Sequence, residues 1–375
     1  MPLRADEEWT RQHPDQRLVI GVGVDGSAIG EKALAAAAAF YREKRGDKAR
    51  AAPRRRAAAH ARRAPPVPAL VLLHVSDATK TWLPRSLQPR YLEASYTDKA
   101  ARLHARAEWA CKDKAAGEST CEALASLAES QGIGLLVVGS IGRKGDKGVN
   151  VLGHVSEYLL CECHGSVCVV RATSPAPPPG GGAEYLFAAD GSKAAALAFC
   201  TLVRQLLGPE DKVLVAYSTY EHGATAESEE VFEPYRRIMA DHKARGGGVQ
   251  GECLAWHVAR NKRVSEGILE LAAARQANVL VVGISGTRGG KLGSVSGDLS
   301  LKAPCNMLLI KDRGDGSGGV AAAGARTLAG MLAPQGAARA AGALERKSLQ
   351  ASEVARAGHK SEAGIRPASG GGGGS

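Results

Sequence analysis

Three blocks of the 375-residue chain occur twice and in the same order, which constrains the fold more than any other feature. RLVIGVGVDGS (17–27) matches EYLFAADGS (184–192) at an offset of 165, placing Asp25 over Asp190. IGLLVVGSIG (133–142) matches ANVLVVGISG (277–286) at an offset of 144, so Gly139 stands over Gly283 and Gly142 over Gly286. GHVSEYLLCECHGSVCVVR (153–171) then matches GSVSGDLSLKAPCNMLLIK (293–311) without a gap, at an offset of 140. A unit of this length is a domain rather than a solenoid repeat.

The two copies divide the chain. An amino-terminal tail (1–16) precedes the first domain (17–172), a Pro/Gly linker occupies 173–183, the second domain covers 184–312, and a Gly/Ala-rich tail follows (313–375). Within a copy, short β-rich runs alternate with helical stretches. LVIGVGV is followed by a helix over 28–41, LVLLHV (70–75) by one near 88–105, a strand around 106–111 by a helix over 118–130, and GLLVVGS by a helix from Gly153; SVCVVR closes the set. Continuous apolar runs such as LVLLHV suit strands covered on both faces. Strands spaced by helices predict right-handed crossovers, and so an α/β fold of two doubly wound domains, each with a parallel sheet flanked by helices.

The net charge of +11 is concentrated in two low-complexity segments. Residues 41–69 carry ten Lys/Arg and two acids, and 314–375 carry seven and four, which accounts for the whole excess. The basic run reads as a solvated insertion at about 42–69. No aromatic residue interleaves its arginines except at its edge, so a base-stacking platform is lacking and nucleic-acid binding is not expected. No stretch approaches the ~18 apolar residues of a membrane span. The eight cysteines follow no disulfide framework, and reduced thiols in a cytoplasmic protein are expected.

In an open α/β sheet, ligands sit at the carboxyl ends of strands beside the topological switch point. Two sets of residues converge there. Asp25-Gly26-Ser27 ends the first strand and Asp190-Gly191-Ser192 its counterpart, where the acid can accept from a base or ribose, or simply help cap the next helix. The fourth strand runs into a glycine-rich loop: Gly139 and Gly142 permit close approach of a ligand, and Gly153-His154-Val155-Ser156 opens a helix whose free N–H groups favour phosphate. Arg143, Lys144 and Lys147 add positive charge in copy one; Arg288 and Lys291 do so in copy two.

VGVDGS, LLHV, LLVVGSIG, GHVSEYLL and CVVR resemble the universal stress protein family in order and spacing, over about 17–172 and 183–312. The resemblance implies a tandem member with a five-stranded parallel sheet in each domain, pairing as an intrachain pseudo-dimer through SVCVVR and NMLLIK, with further homo-oligomers open. It implies a stress-response module binding ATP, or AMP or ADP in its place. The implied nucleotide contacts are Asp25, Val75, Gly139, Gly142, Arg143, Gly153, His154, Val155 and Ser156, and in copy two Asp190, Gly283, Gly286, Gly293, Ser294 and Ser296. One branch of the family does not bind ATP, and both loops depart from the binding branch's pattern. Where that pattern has nine residues between glycines, Gly142 and Gly153 enclose ten and Gly286 and Gly293 six, and His154 replaces a Ser/Thr.

Three rivals compete. GVGVDG spells a dinucleotide fingerprint, but Gly21 and Gly23 fall inside the strand and neither recurs in copy two. Cys161, Cys163, His164 and Cys168 offer zinc-ligand types, yet copy two has Leu301 and Leu308 at the first and last of these places. His74 reads as a buried strand histidine, aligned with Ala216. No P-loop lysine and no G-x-S-x-G elbow occurs, so the chain is expected to bind rather than catalyse; a slow ATP hydrolase and a scaffold without nucleotide are the alternatives.

Overall fold

A computed structural model describes residues 18–41, 70–80, 82–143, 152–175, 177, 182–223, 225–285 and 292–312. The basic insertion, both tails, Lys144, Lys147, Gly286, Arg288 and Lys291 lie outside the described residues.

The first domain runs β1 (Ile20–Gly23), α1 (Ala28–Phe40), β2 (Leu70–Ser76), α2 (Pro89–Arg102), β3 (Ala107–Asp113), α3 (Thr120–Ser130), β4 (Leu135–Gly139), α4 (His154–Glu162) and β5 (Ser166–Val170). The second runs β6 (Glu184–Ala189), α5 (Lys193–Thr201), β7 (Lys212–Thr219), α6 (Ala226–Ala244), β8 (Gln250–His257), α7 (Val264–Ala274), β9 (Val279–Ser285), α8 (Ser294–Lys302) and β10 (Asn306–Asp312). α5 passes directly into a π-helical turn over Leu202–Leu206. Local chemistry sets the helix starts: Ser27 Oγ accepts from Gly30 N at 2.9 Å and Ser192 Oγ from Ala195 N at 3.1 Å. Such a cap is worth ~1 kcal/mol. Ser119 and Glu122 form a reciprocal capping box on α3.

The ten strands of the described residues join one sheet, ordered β3-β2-β1-β4-β5-β10-β9-β6-β7-β8. Every pairing is parallel except β5 with β10, where the two domains meet antiparallel. The expected contact edges are therefore the ones used, and each covers the other's open hydrogen-bonding edge. The registers reproduce the sequence offsets: Ile20 pairs with Leu135 as Tyr185 pairs with Val279, and Leu135 with Ser166 as Val279 with Asn306.

Alternate residues of the central strands feed two apolar layers that each continue from one domain into the other. Cys168, Val170, Leu308 and Ile310 point to the layer covered by α1, α2, α5 and α6. Val167, Val169, Met307 and Leu309 point to the layer under α3, α4, α7 and α8. Gly21 and Gly23 lie within β1, whereas Gly26 and Gly191 take φ of +78° and +74° after their strands. The recurring glycine of the Asp-Gly-Ser turn is thus the one whose backbone requires it.

One sequence alignment is corrected. Gly23 pairs with Leu73, and its repeat partner Ala188 pairs with Ala216, so Ala216 corresponds to Leu73 and Tyr217 to His74. Hydrogen-bond register decides the equivalence, because a one-residue slip would turn each side chain to the other face.

Candidate functional site

β1 and β4 are neighbours in the sheet while the chain leaves β1 toward β2 on its other side, so the switch point lies between their carboxyl ends. Asp25 follows β1 there and Gly139 ends β4. Asp25 Oδ1 accepts from Ser27 N at 2.9 Å, which supports the turn into α1. Its Oδ2 accepts from Arg143 N at 3.3 Å, so the strand-end acid also holds the first part of the glycine-rich loop.

The loop returns onto its own origin. Gly153 N donates to Ser140 O at 2.7 Å, and Ser156 Oγ donates to Gly139 O at 2.7 Å and Ser140 O at 3.3 Å. These bonds fix the start of α4 beside the end of β4. Gly153 caps α4 without a side chain, and the N–H groups of His154, Val155 and Ser156 have no partner among the described residues. Free first-turn N–H groups and the positive end of the helix dipole converge there, next to Gly142 and the exposed Arg143.

The two loop glycines serve different purposes. A Cβ on Gly139 would come within 2.6 Å of Ile29 Cγ2, and one on Gly283 within 2.8 Å of Ala195 Cα. Both are required by close packing of β4 or β9 against the first helix of its own domain, α1 or α5. A Cβ on Gly142 would meet only Asp25 Oδ2, at 3.3 Å, so this glycine keeps the crevice itself open.

His74 and Tyr96 complete the wall near Asp25. The His74 Nδ1 lies 2.8 Å from Val24 O, and its ring stacks on Trp109 with centroids 5.6 Å apart. Burial holds its pKa below the ordinary 6.5; the Val24 carbonyl and the Asp25 carboxylate act against that and Arg143 with it. A neutral ring donates through Nδ1 to the carbonyl and leaves Nε2 as an acceptor. The buried Tyr96 hydroxyl lacks a side-chain partner, and burial followed by Asp25 raises its pKa well above the ordinary value. Tyr235 repeats this beside Asp190. Neither tyrosine was singled out by sequence reasoning; a tyrosine on the helix after the second strand of both copies was the available signal.

Copy two is built differently. Asp190 is exposed, and its Oδ1 accepts from Ser192 N at 2.8 Å. Ser296 Oγ turns back to Gly293 O at 3.1 Å, with no tie from α8 to the end of β9 among the described residues. Gly293 and Ser294 are exposed at the start of α8, while Gly283 is buried. Val75 sits half-buried at the end of β2, two strands from β4.

No group of three or more His, Cys, Asp or Glu side chains is placed to hold a metal among the described residues. Cys168 is fully buried in β5, where burial pushes its thiol up to about 12, so it is no ready thiolate ligand. No described helix is long and apolar enough to cross a membrane.

Comparison with family models matches the universal stress protein family twice, at residues 18–171 and 185–311. Solved structures similar to the chain include a universal stress protein from Archaeoglobus fulgidus (16% identity, 79% of this chain and 98% of that one, TM-score 0.46). A putative universal stress protein from Pseudomonas aeruginosa shares 17% identity over 65% of this chain and 83% of that one, with a TM-score of 0.40. A universal stress protein family protein from Arabidopsis thaliana with AMP bound shares 19% identity over 36% of this chain and 95% of that one, with a TM-score of 0.26. Comparison with curated proteins finds no match.

Proposed function

The chain belongs to the universal stress protein family, and on that premise we propose that its first domain binds an adenine nucleotide at the β1–β4 switch point. The carrying observation is the convergence of the Asp25 carboxylate, through Arg143 N, with the uncapped start of α4. The phosphates lie against the N–H groups of His154, Val155 and Ser156, with Gly142 giving the backbone room and Arg143 supplying charge. Asp25 and Val75 face the nucleoside. Adenine is favoured over other bases by the family, and ATP, ADP and AMP share the chemistry of the site.

The module binds rather than turns over its ligand. Asp25 is committed to two backbone N–H groups, so among the described residues at the crevice it does not stand ready as a base to activate water. Nucleotide occupancy changes the surface presented to a partner in a stress response, in a cytoplasmic setting. The second pocket, with its shorter loop and untied α8, binds more weakly through Asp190, Gly283, Gly286, Gly293, Ser294 and Ser296.

Chromatography of the nucleotide released from freshly purified, denatured protein tests this directly, followed by calorimetry with added ATP. About one equivalent of adenine nucleotide per chain is the expected result. Protein that is empty and takes up no ATP overturns the reading and leaves the interaction scaffold.

A further inference from the structure

Two buried cations cross the join between the domains. Lys311, in β10 and 8% exposed, donates from Nζ to Cys163 O at 2.6 Å and lies 3.5 Å from Cys161 O, the last carbonyls of α4. Arg171, just after β5 and 3% exposed, donates from Nη2 to Ser300 O and, at 2.8 Å, to Leu301 O, in the last turn of α8. Arg171 and Lys311 occupy the same place in the two repeats. Their backbones are held alike: Arg171 N donates to Asn306 Oδ1 at 3.0 Å and Lys311 N to Ser166 Oγ at 3.3 Å.

Neither cation forms an ion pair with a carboxylate among the described residues. Burial disfavours the charge of both. What opposes that cost is the negative end of a helix dipole, supplied in each case by the other domain. The helix that Lys311 grips is the one whose opposite end opens at the crevice of the first domain.

We propose that Lys311 is a positioning residue acting in trans, which strengthens the first domain's hold on phosphate by closing the far end of α4 with a positive charge. The inference rests on the nucleotide reading above and adds that the second domain is part of the first domain's site. α4 has nine residues, so the ammonium lies on the order of 13 Å from the phosphate position along a helix buried on one face. At an effective dielectric of ~20, a unit-charge pair at that separation changes affinity about eightfold, and salt at the open end reduces this. The lysine also satisfies carbonyls that would otherwise lack donors, which keeps α4 seated against the sheet.

The test compares ATP, AMP and adenosine by calorimetry on the full chain and on Lys311→Gln and Lys311→Arg. Glutamine keeps a donor for the Cys163 carbonyl and removes the charge; arginine keeps both. The expected result is ATP affinity weakened about three- to tenfold in Lys311→Gln, AMP affinity weakened less, adenosine affinity unchanged, and Lys311→Arg close to the unsubstituted chain. Equal ATP affinity in Lys311→Gln, or equal loss for ATP and adenosine, overturns the electrostatic role while leaving the nucleotide site standing. Failure of the unsubstituted chain to bind ATP overturns both. If Lys311→Gln does not fold, the Lys311 titration followed by NMR in the unsubstituted chain decides: ATP, but not adenosine, must raise its pKa, and no rise sinks the proposal.

Discussion

Leu308 lies directly opposite Cys168 in the antiparallel join, and each is the other's equivalent in the repeat. The local two-fold relation between the domains therefore passes through this pair, with Met307–Val169 and Leu309–Val167 on either side. Both residues are fully buried and belong to one apolar layer, so the domains share a core at the point where they meet.

Leu308→Ala should cost about 2–4 kcal/mol, because a fully buried leucine is replaced by a cavity that the sheet and its covering helices collapse around only in part. Urea unfolding followed by circular dichroism should show one transition at lower denaturant. Two well-separated transitions in the unsubstituted chain would contradict a shared core.

Gly142→Val and Gly139→Ala should fail in different ways. A side chain added at position 142 meets Asp25 Oδ2, so binding of ATP is lost while the unfolding midpoint moves little. A methyl group added at position 139 collides with Ile29, so stability falls by about 1–3 kcal/mol. Calorimetry and urea melts on both variants separate the roles; normal ATP affinity in Gly142→Val would remove that residue from the site.

Asp25→Ala should both loosen the loop and weaken nucleotide binding, since it deletes acceptors for Ser27 N and Arg143 N. The stability cost expected is about 1–2 kcal/mol, as for loss of charged hydrogen bonds at a partly exposed turn. Asp25→Asn, which keeps an acceptor oxygen, should recover most of the stability. Equal losses in the two variants would show that the bonds to the loop are not what matters.

His74 predicts a pH dependence of a definite sign. Its folded pKa is depressed below the ordinary 6.5 by burial, so the unfolded chain binds more protons in the window just below 6.5. Stability then rises with pH through that window and falls on acidification from neutrality. The urea midpoint should drop between pH 7.5 and pH 5.5, and the drop should shrink in His74→Gln. An unchanged pH profile in that variant would exclude His74 as its source.

Deleting 42–66 should preserve the helical spectrum and the unfolding midpoint, because the segment intervenes between the end of α1 at Phe40 and the start of β2 at Leu70. Loss of folded protein on deletion would refute its reading as an insertion.

The repeat and the alternation of elements are legible because they depend on patterns local to the chain: apolar runs, Ser27 and Ser192 as helix caps, and glycines at turns; the joining edges follow from the family resemblance, not from those patterns. Helix α1 was expected over 28–41 and spans Ala28–Phe40, and the strand expected around 106–111 spans Ala107–Asp113. The site was legible only in outline. Asp25 and the start of α4 come together under the switch-point rule for open α/β sheets, whereas the packing of Gly139 against Ile29 and the correspondence of His74 with Tyr217 needed the tertiary structure.

Two α/β domains, their order and the residue types at their strand ends are written in the chain, since periodicity and turn chemistry act over a few residues. Which backbone groups Asp25 holds, which residue takes His74's place in copy two, and where the charges of Arg171 and Lys311 are satisfied emerge once the chain has folded. Those contacts join positions more than a hundred residues apart, or equivalent strands in separate domains. Their partners are mostly backbone N–H and C=O groups, which every residue carries and no sequence pattern distinguishes.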